Sequence, residues 1–231
     1  MISTIFFDLD GTLIDQKTAQ NAACLTIYRR YHFDAVVSED HFIRKWDALT
    51  VLHYDTYLRR ECTYNQQRER RITDLFSAYG IACSKTPLEV YDEYLRSFES
   101  SWRPFPEVTA CLEALKDYRL GVLTNGDAGQ QNQKLAATAL APYFSHVICA
   151  GDYPFAKPDT RLFEEIRSIA NVPLSECLYV GDSYESDIVP CLALGMKCVL
   201  VDRQNASTHR DTPVISGFAQ LPQILAQLNS R

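Results

Sequence analysis

Apolar positions along this chain follow two different periods. Residues 2–7 form an apolar run around Ser3 and Thr4 and read as a buried strand of a parallel sheet. From residue 16 to residue 101 no strand pattern appears. Apolar and aromatic side chains recur there at helical spacing, as in Ala23, Ile27 and Tyr31, Phe42, Trp46, Leu49 and Leu52, Ile72, Leu75 and Tyr79, and Val90, Tyr94 and Phe98. Breaks near 33–37, 61–64 and 80–87 divide this block into four helices. Ser38 ahead of Glu39 and Asp40, and Thr86 ahead of Pro87, supply helix starts.

Pro104 and Pro106 stop the last of these helices and mark a boundary. Beyond it strands and helices alternate. The pattern predicts helix 107–118, strand 120–123, helix 128–140, strand 146–149, helix 159–170 and strand 177–180. Helix 185–194, ended by Gly195, strand 197–201 and helix 218–228 complete it. Such alternation predicts an α/β fold, a doubly wound, Rossmann-like parallel sheet with helices on both faces. Residues 1–15 and 103–231 would build that domain, and residues 16–102 a smaller all-helical domain inserted after the first strand. Ligands of such sheets bind at the carboxyl ends of the strands, where strand order reverses.

Composition narrows the function classes. The 231 residues carry a formal net charge of -6, and the longest basic run is Arg68-Glu69-Arg70-Arg71, so a nucleic-acid polymer is not the expected partner. The eight cysteines show no Cys-x-x-Cys pair and no zinc spacing, and Cys149, Cys177 and Cys198 lie in apolar runs as small core residues. No charged leader with a long apolar stretch opens the sequence, and no apolar run approaches the ~20 residues that span a bilayer. A cytoplasmic, reducing setting without a membrane partner is the expectation, as monomer or homodimer.

Chemistry gathers at the predicted strand ends. The first strand stops at Asp8, with Asp10 two residues on and Gly11 turning the chain. Two carboxylates so placed repel each other unless a cation or a proton compensates, and the pair suits a divalent metal or a nucleophile with an acid beside it. Thr124-Asn125-Gly126 ends the second core strand with a hydroxyl, an amide and backbone N–H groups that can grip phosphate oxygens. Lys157 precedes Pro158 in a loop before a helix. Gly181-Asp182 ends the fourth core strand, with Asp187 five residues on.

Together Asp8-x-Asp10-Gly11-Thr12, Thr124-Asn125, Lys157-Pro158 and Gly181-Asp182-x4-Asp187 resemble, in order, the four motifs of the haloacid dehalogenase-like hydrolase superfamily. The helical insert resembles that family's cap. Gln130-x3-Lys134-Leu135 and Tyr143-Phe144 are similar to its sugar- and nucleotide-phosphatases. The resemblance implies a phosphatase of a small phosphorylated metabolite: a sugar phosphate, phosphoglycolate or a nucleoside monophosphate. Asp8 is then the nucleophile that forms an aspartyl-phosphate, and Asp10 the acid–base. Mg2+ is held by Asp8, the Asp10 carbonyl and Asp182, while Asp187 orients a water on the ion or Lys157. Thr124 and the Asn125 N–H hold phosphate oxygens, and Lys157 balances charge. The family's dehalogenases typically lack the second aspartate, because halide leaves without a proton, so Asp10 favours phosphoryl transfer. A phosphomutase shares the same motifs and is the nearest alternative, with a non-catalytic ligand-binding member after it. In the insert, Arg29, Arg30, Arg44, Trp46, His53, Arg59 and Arg60 are the candidates for choosing substrate, with hinges at 14–17 and 101–106. Core packing and solvation are the ordinary roles of such residues.

Overall fold

The computed structural model describes residues 1–230. The described residues divide into two compact units, 1–15 with 103–230, and Gln16–Trp102.

The first unit is a six-stranded parallel sheet. Its strands are β1 (Thr4–Phe7), β2 (Arg119–Thr124), β3 (His146–Cys149), β4 (Cys177–Gly181), β5 (Lys197–Val201) and β6 (Val214–Ile215), ordered β3-β2-β1-β4-β5-β6. β1 lies between β2 and β4, with Phe7 opposite Val122 on one side and Val180 on the other. The chain leaves β1 toward one edge and returns for the other, so the reversal of strand order falls where β1 ends. Alternation gives β1 two buried faces. Ile5 and Phe7 pack in a layer with Val122, Leu178, Val180 and Phe218, while Phe6 packs in the opposite layer with Leu123, Phe163 and Tyr179. Both faces being covered explains why the strand reads as a continuous apolar run.

The helices of this unit are α5 (Val108–Ala114), α6 (Ala128–Ala137), α7 (Thr160–Ala170), α8 (Val189–Ala193) and α9 (Leu221–Asn229); α1 to α4 belong to the second unit. Four differ from expectation, α6 by ending at Ala137 instead of residue 140. The helix expected over 107–118 stops at Ala114, where the Leu115 N–H is shared between Cys111 and Leu112 carbonyls and the last turn tightens. The one expected over 185–194 begins as a wide π-helical turn, Tyr184–Ile188, and becomes α8 only around Pro190, which tolerates the first turn because it has no N–H to pair. The last opens with a single tight turn, Phe218–Gln220, ahead of α9 and Pro222. β6 was not expected at all. Two residues beside Pro213 are too few to show a period.

The second unit holds α1 (Gln16–Arg30), α2 (Glu39–Leu58), α3 (Tyr64–Tyr79) and α4 (Pro87–Ser100). Thr63 with Gln66 and Thr86 with Glu89 form reciprocal capping boxes, each satisfying two backbone donors at a helix start. Ser38 occupies the corresponding place before α2 without a side-chain cap bond. An aromatic core joins Phe33, Phe42, Trp46, Phe76, Tyr94 and Phe98. Leu52, expected on the apolar stripe of α2, is 56% exposed with Val51 beside it. The stripe narrows toward the end of that helix, where His53 and Tyr57 are the buried positions.

Candidate active site

Asp8 is the first residue past β1. Its N–H still pairs with the Val180 carbonyl at 2.9 Å, so the sheet ladder fixes where the side chain starts. The chain then closes a tight loop in which the Leu13 and Ile14 N–H groups bond the Leu9 carbonyl and the Gly11 N–H bonds that of Ile14. Gly11 has φ +90°, and a Cβ on it would lie 2.3 Å from an Asp182 oxygen, so both backbone and space demand glycine. Arg203 pins the loop from outside. It donates to the Thr12 carbonyl at 3.1 Å and to Glu107 at 2.6 Å while lying over the Phe105 ring.

Around Asp8 the motifs converge. Lys157 Nζ donates to Asp8 Oδ1 at 2.7 Å, to Asp187 Oδ1 at 2.6 Å and to the Tyr179 hydroxyl at 3.1 Å. All three ammonium donors are used, and Lys157, Asp8 and Asp187 are each at least nine-tenths buried. Asn125 holds the lysine's own peptide, accepting from its N–H at 2.7 Å and donating to its carbonyl at 3.0 Å. The π-helical turn delivers Asp187, whose other oxygen accepts from the Ser183 N–H at 3.0 Å. Thr12 Oγ1 lies 3.1 Å from Asp182 and 3.3 Å from Asp8. One carboxylate oxygen each from Asp8, Asp182 and Asp187 falls within 4.8 Å of the others, with Asp182 the exposed member.

This crowding shows in proton affinity. Burial, with Asp187 and Asp182 adding repulsion against the pull of Lys157, pushes the Asp8 carboxyl up to about 8. Desolvation and Asp187 push Asp182 up to about 6. Burial opposes the charge on Lys157, but Asp187 and Asp8 outweigh it and hold the ammonium above its ordinary range. An all-oxygen set, short of positive charge and converging on one point, fits a hard divalent cation such as Mg2+.

Asp10 lies beside this group with partners of its own. Lys134 Nζ pairs with its Oδ1, and Gln131 Nε2 donates to its Oδ2 at 2.7 Å. Thr124 is buried, and its Oγ1 accepts from Gln131 at 2.8 Å and from the Gly126 N–H at 3.3 Å. Every residue singled out in the four motifs thus lies in this network of the first unit. The sequence reading assigned no role to Tyr179, Gln131 or Lys134. A lysine beside Leu135 on a helix packed into the core was the available signal for the last.

All but one of the candidates in the second unit are buried in its core or paired within it. Trp46 is fully buried in the aromatic core, and His53 is buried against Asp74 at 2.8 Å. Arg29, Arg30 and Arg59 pair with Glu39, Glu93 and Glu61, Arg60 lies over Tyr57, and Arg44 is exposed.

Comparison with known proteins agrees with this geometry. The chain is 29% identical over 253 residues to the N-acylneuraminate-9-phosphatase of Homo sapiens, covering 100% of this chain and 96% of the relative. It is 31% identical over 210 residues to the glyceraldehyde 3-phosphate phosphatase of Pyrococcus abyssi, covering 86% and 81%. The fold matches the crystal structure of the putative HAD-hydrolase YfnB from Bacillus subtilis bound to magnesium, with a TM-score of 0.84 at 19% identity over 97% of this chain and 99% of that one. Haloacid dehalogenases are also among the fold neighbours. The family model described as haloacid dehalogenase-like hydrolase matches residues 2–195, a span holding all four motifs, and the chain belongs to that family.

Proposed function

We propose that this chain is a Mg2+-dependent phosphatase that hydrolyses a small phosphomonoester through a phospho-Asp8 intermediate. One observation carries the reading. A buried carboxylate at the reversal point of the sheet is hydrogen-bonded to a buried lysine, shares a cation-sized space with two more carboxylates, and has a further acid two residues along. The relatives named as phosphatases support the substrate kind.

Asp8, the Asp10 carbonyl and Asp182 would hold the ion, with Asp187 orienting Lys157. When bound, Mg2+ supplies positive charge against which the carboxylates and the phosphoryl group can approach one another. The protein's own residues do the rest. Lys157 holds Asp8 in line and offsets its charge. A carboxylate oxygen of Asp8 bonds to phosphorus as the ester P–O bond breaks, and the leaving alkoxide takes a proton from Asp10. Water then attacks phosphorus, gives its proton to Asp10, and frees Asp8 and inorganic phosphate. Thr124 and the Asn125 N–H would hold phosphoryl oxygens.

Residues 16–102 would act as the cap that chooses among sugar phosphates, phosphoglycolate and nucleoside monophosphates. A phosphate-ester screen with Mg2+, including p-nitrophenyl phosphate and with 2-chloropropionate as a dehalogenase control, tests the proposal. Turnover of esters that is lost in EDTA and in Asp8→Asn is the expected result. Activity that survives either treatment, or halide release in place of phosphate release, overturns it.

A further inference from the structure

Asp10 is gripped at both of its oxygens. Lys134 pairs with one and Gln131 donates to the other at 2.7 Å. The two donors are three residues apart on α6 and so project from one face of the helix. Neither is an incidental surface contact, because Gln131 is fully buried and Lys134 is 1% exposed. Burying an ammonium is costly unless an opposite charge answers it. The same Gln131 nitrogen reaches Thr124 Oγ1 at 2.8 Å. The loop leaves room for this side chain, since a Cβ on Gly126 would lie 2.3 Å from Gln131 Cδ.

The chemistry of the grip is one-sided. An ammonium and an amide N–H can only donate, so both Asp10 oxygens are acceptors here. That is the form required when water attacks a phosphorylated aspartate.

We infer that Lys134 and Gln131 are positioning residues that hold Asp10 as a fixed proton acceptor for the water-attack half of the reaction. The inference rests on the phospho-Asp8 reading above. In that step the water oxygen bonds to phosphorus, the bond from phosphorus to Asp8 breaks, and the water proton passes to Asp10. With p-nitrophenyl phosphate the first half needs no proton, because p-nitrophenolate is a good leaving group. Loosening Asp10 therefore slows the second half selectively.

Rapid-mixing measurements of p-nitrophenolate release with Mg2+ read the two halves separately. Lys134→Met should keep the rate of the first turnover, about one product per enzyme. Its steady rate should fall about 10- to 100-fold, within the ~10²–10⁴ that a positioned acid–base group contributes. Gln131→Met should shift in the same direction, and Lys134→Arg should recover part of the steady rate. A general loss of structure lowers the burst amplitude instead, and Gln131→Met carries the test where Lys134→Met fails to fold. Equal slowing of both phases, or an unchanged steady rate in both Met variants, overturns the inference while leaving the phosphatase intact. Wild-type turnover that persists in Asp8→Asn overturns the phosphoenzyme reading and this inference with it.

Discussion

Raising the pH from 6 to 8 should tighten Mg2+ binding by roughly 100-fold. The number follows from two carboxyls. With Asp8 pushed up to about 8, about 1% of it is ionised at pH 6 and half at pH 8. With Asp182 near 6, half is ionised at pH 6 and nearly all at pH 8. The doubly ionised fraction, the form that accepts a cation, therefore rises from about 0.5% to about 50%. The sign for stability is opposite in the absence of the ion. Asp8 has a folded value above its ordinary 3.8, so between about 4 and 8 the folded chain binds more protons than the unfolded one. Its stability then falls with rising pH by up to about 1.4 kcal/mol per unit across that window. A cation bound to the ionised folded state reverses the trend, so the Mg2+-induced rise in Tm should grow from pH 6 to pH 8.

Calorimetric titration of the whole chain with Mg2+ at pH 6, 7 and 8 measures the effect. Repeating pH 7 in buffers of different ionisation enthalpy counts the protons released, about one per ion from Asp8. A Kd constant within about threefold across the three pH values, or binding with no proton released, would refute the argument that crowding and burial hold these carboxyls partly protonated.

Three further outcomes follow from single contacts. Asp10→Asn should slow cleavage of an alkyl phosphate by ~10²–10⁴ while changing the first p-nitrophenolate turnover far less, since only the alkoxide needs a proton; equal losses would argue against Asp10 as the acid. Gly11→Ala forces a side chain onto a φ of +90° and a Cβ to within 2.3 Å of Asp182, so Mg2+ affinity should drop about tenfold or more; unchanged titration curves would contradict the packing. Trp46→Ala removes a fully buried ring whose centroid lies 4.5 Å from that of Tyr94, and should cost about 3–5 kcal/mol of stability by denaturant unfolding; a loss under about 1 kcal/mol would place Trp46 outside the core.

What the sequence disclosed depended on whether position along the chain stood in for position in space. The long strands of the sheet were legible because burial on both faces leaves an apolar run with no alternation, as in β1. The two-residue β6 is too short for any period to register. The motif residues were legible because the sheet converts the end of each strand into a location, so Asp8, Thr124 and Asp182 are near neighbours although far apart in number. Lys157 and Asp187 reach that location from a loop and a π-helical turn, and only the recurrence of their pattern marked them. Gln131 was missed, and Lys134 noted only as part of a resemblance with no role, for a different reason. They sit mid-helix, where a polar residue ordinarily faces water, and only the packing of α6 turns them inward. The second unit shows the converse. Its arginines invite a functional reading, yet Arg29, Arg30 and Arg59 have carboxylate partners within that unit, while Trp46 serves its core.

The distribution of charge at the site bears on which cation it takes. Asp10 is answered by Lys134 and can be set aside. Asp8, Asp182 and Asp187, when ionised, face Lys157 alone among the cations paired with them, which leaves two negative charges at one small centre. A monovalent ion would leave one negative charge facing an incoming phosphate anion, whereas a divalent ion brings the centre to neutrality. Oxygen donors exclude soft metals, and a set of few protein ligands suits an ion that keeps part of its water shell, which favours Mg2+. Neutralising Lys157 by Lys157→Met would leave the centre negative even with the ion in place. On the proposed reading the lysine would therefore serve the phosphate's landing site as much as the carboxylates would serve the metal's.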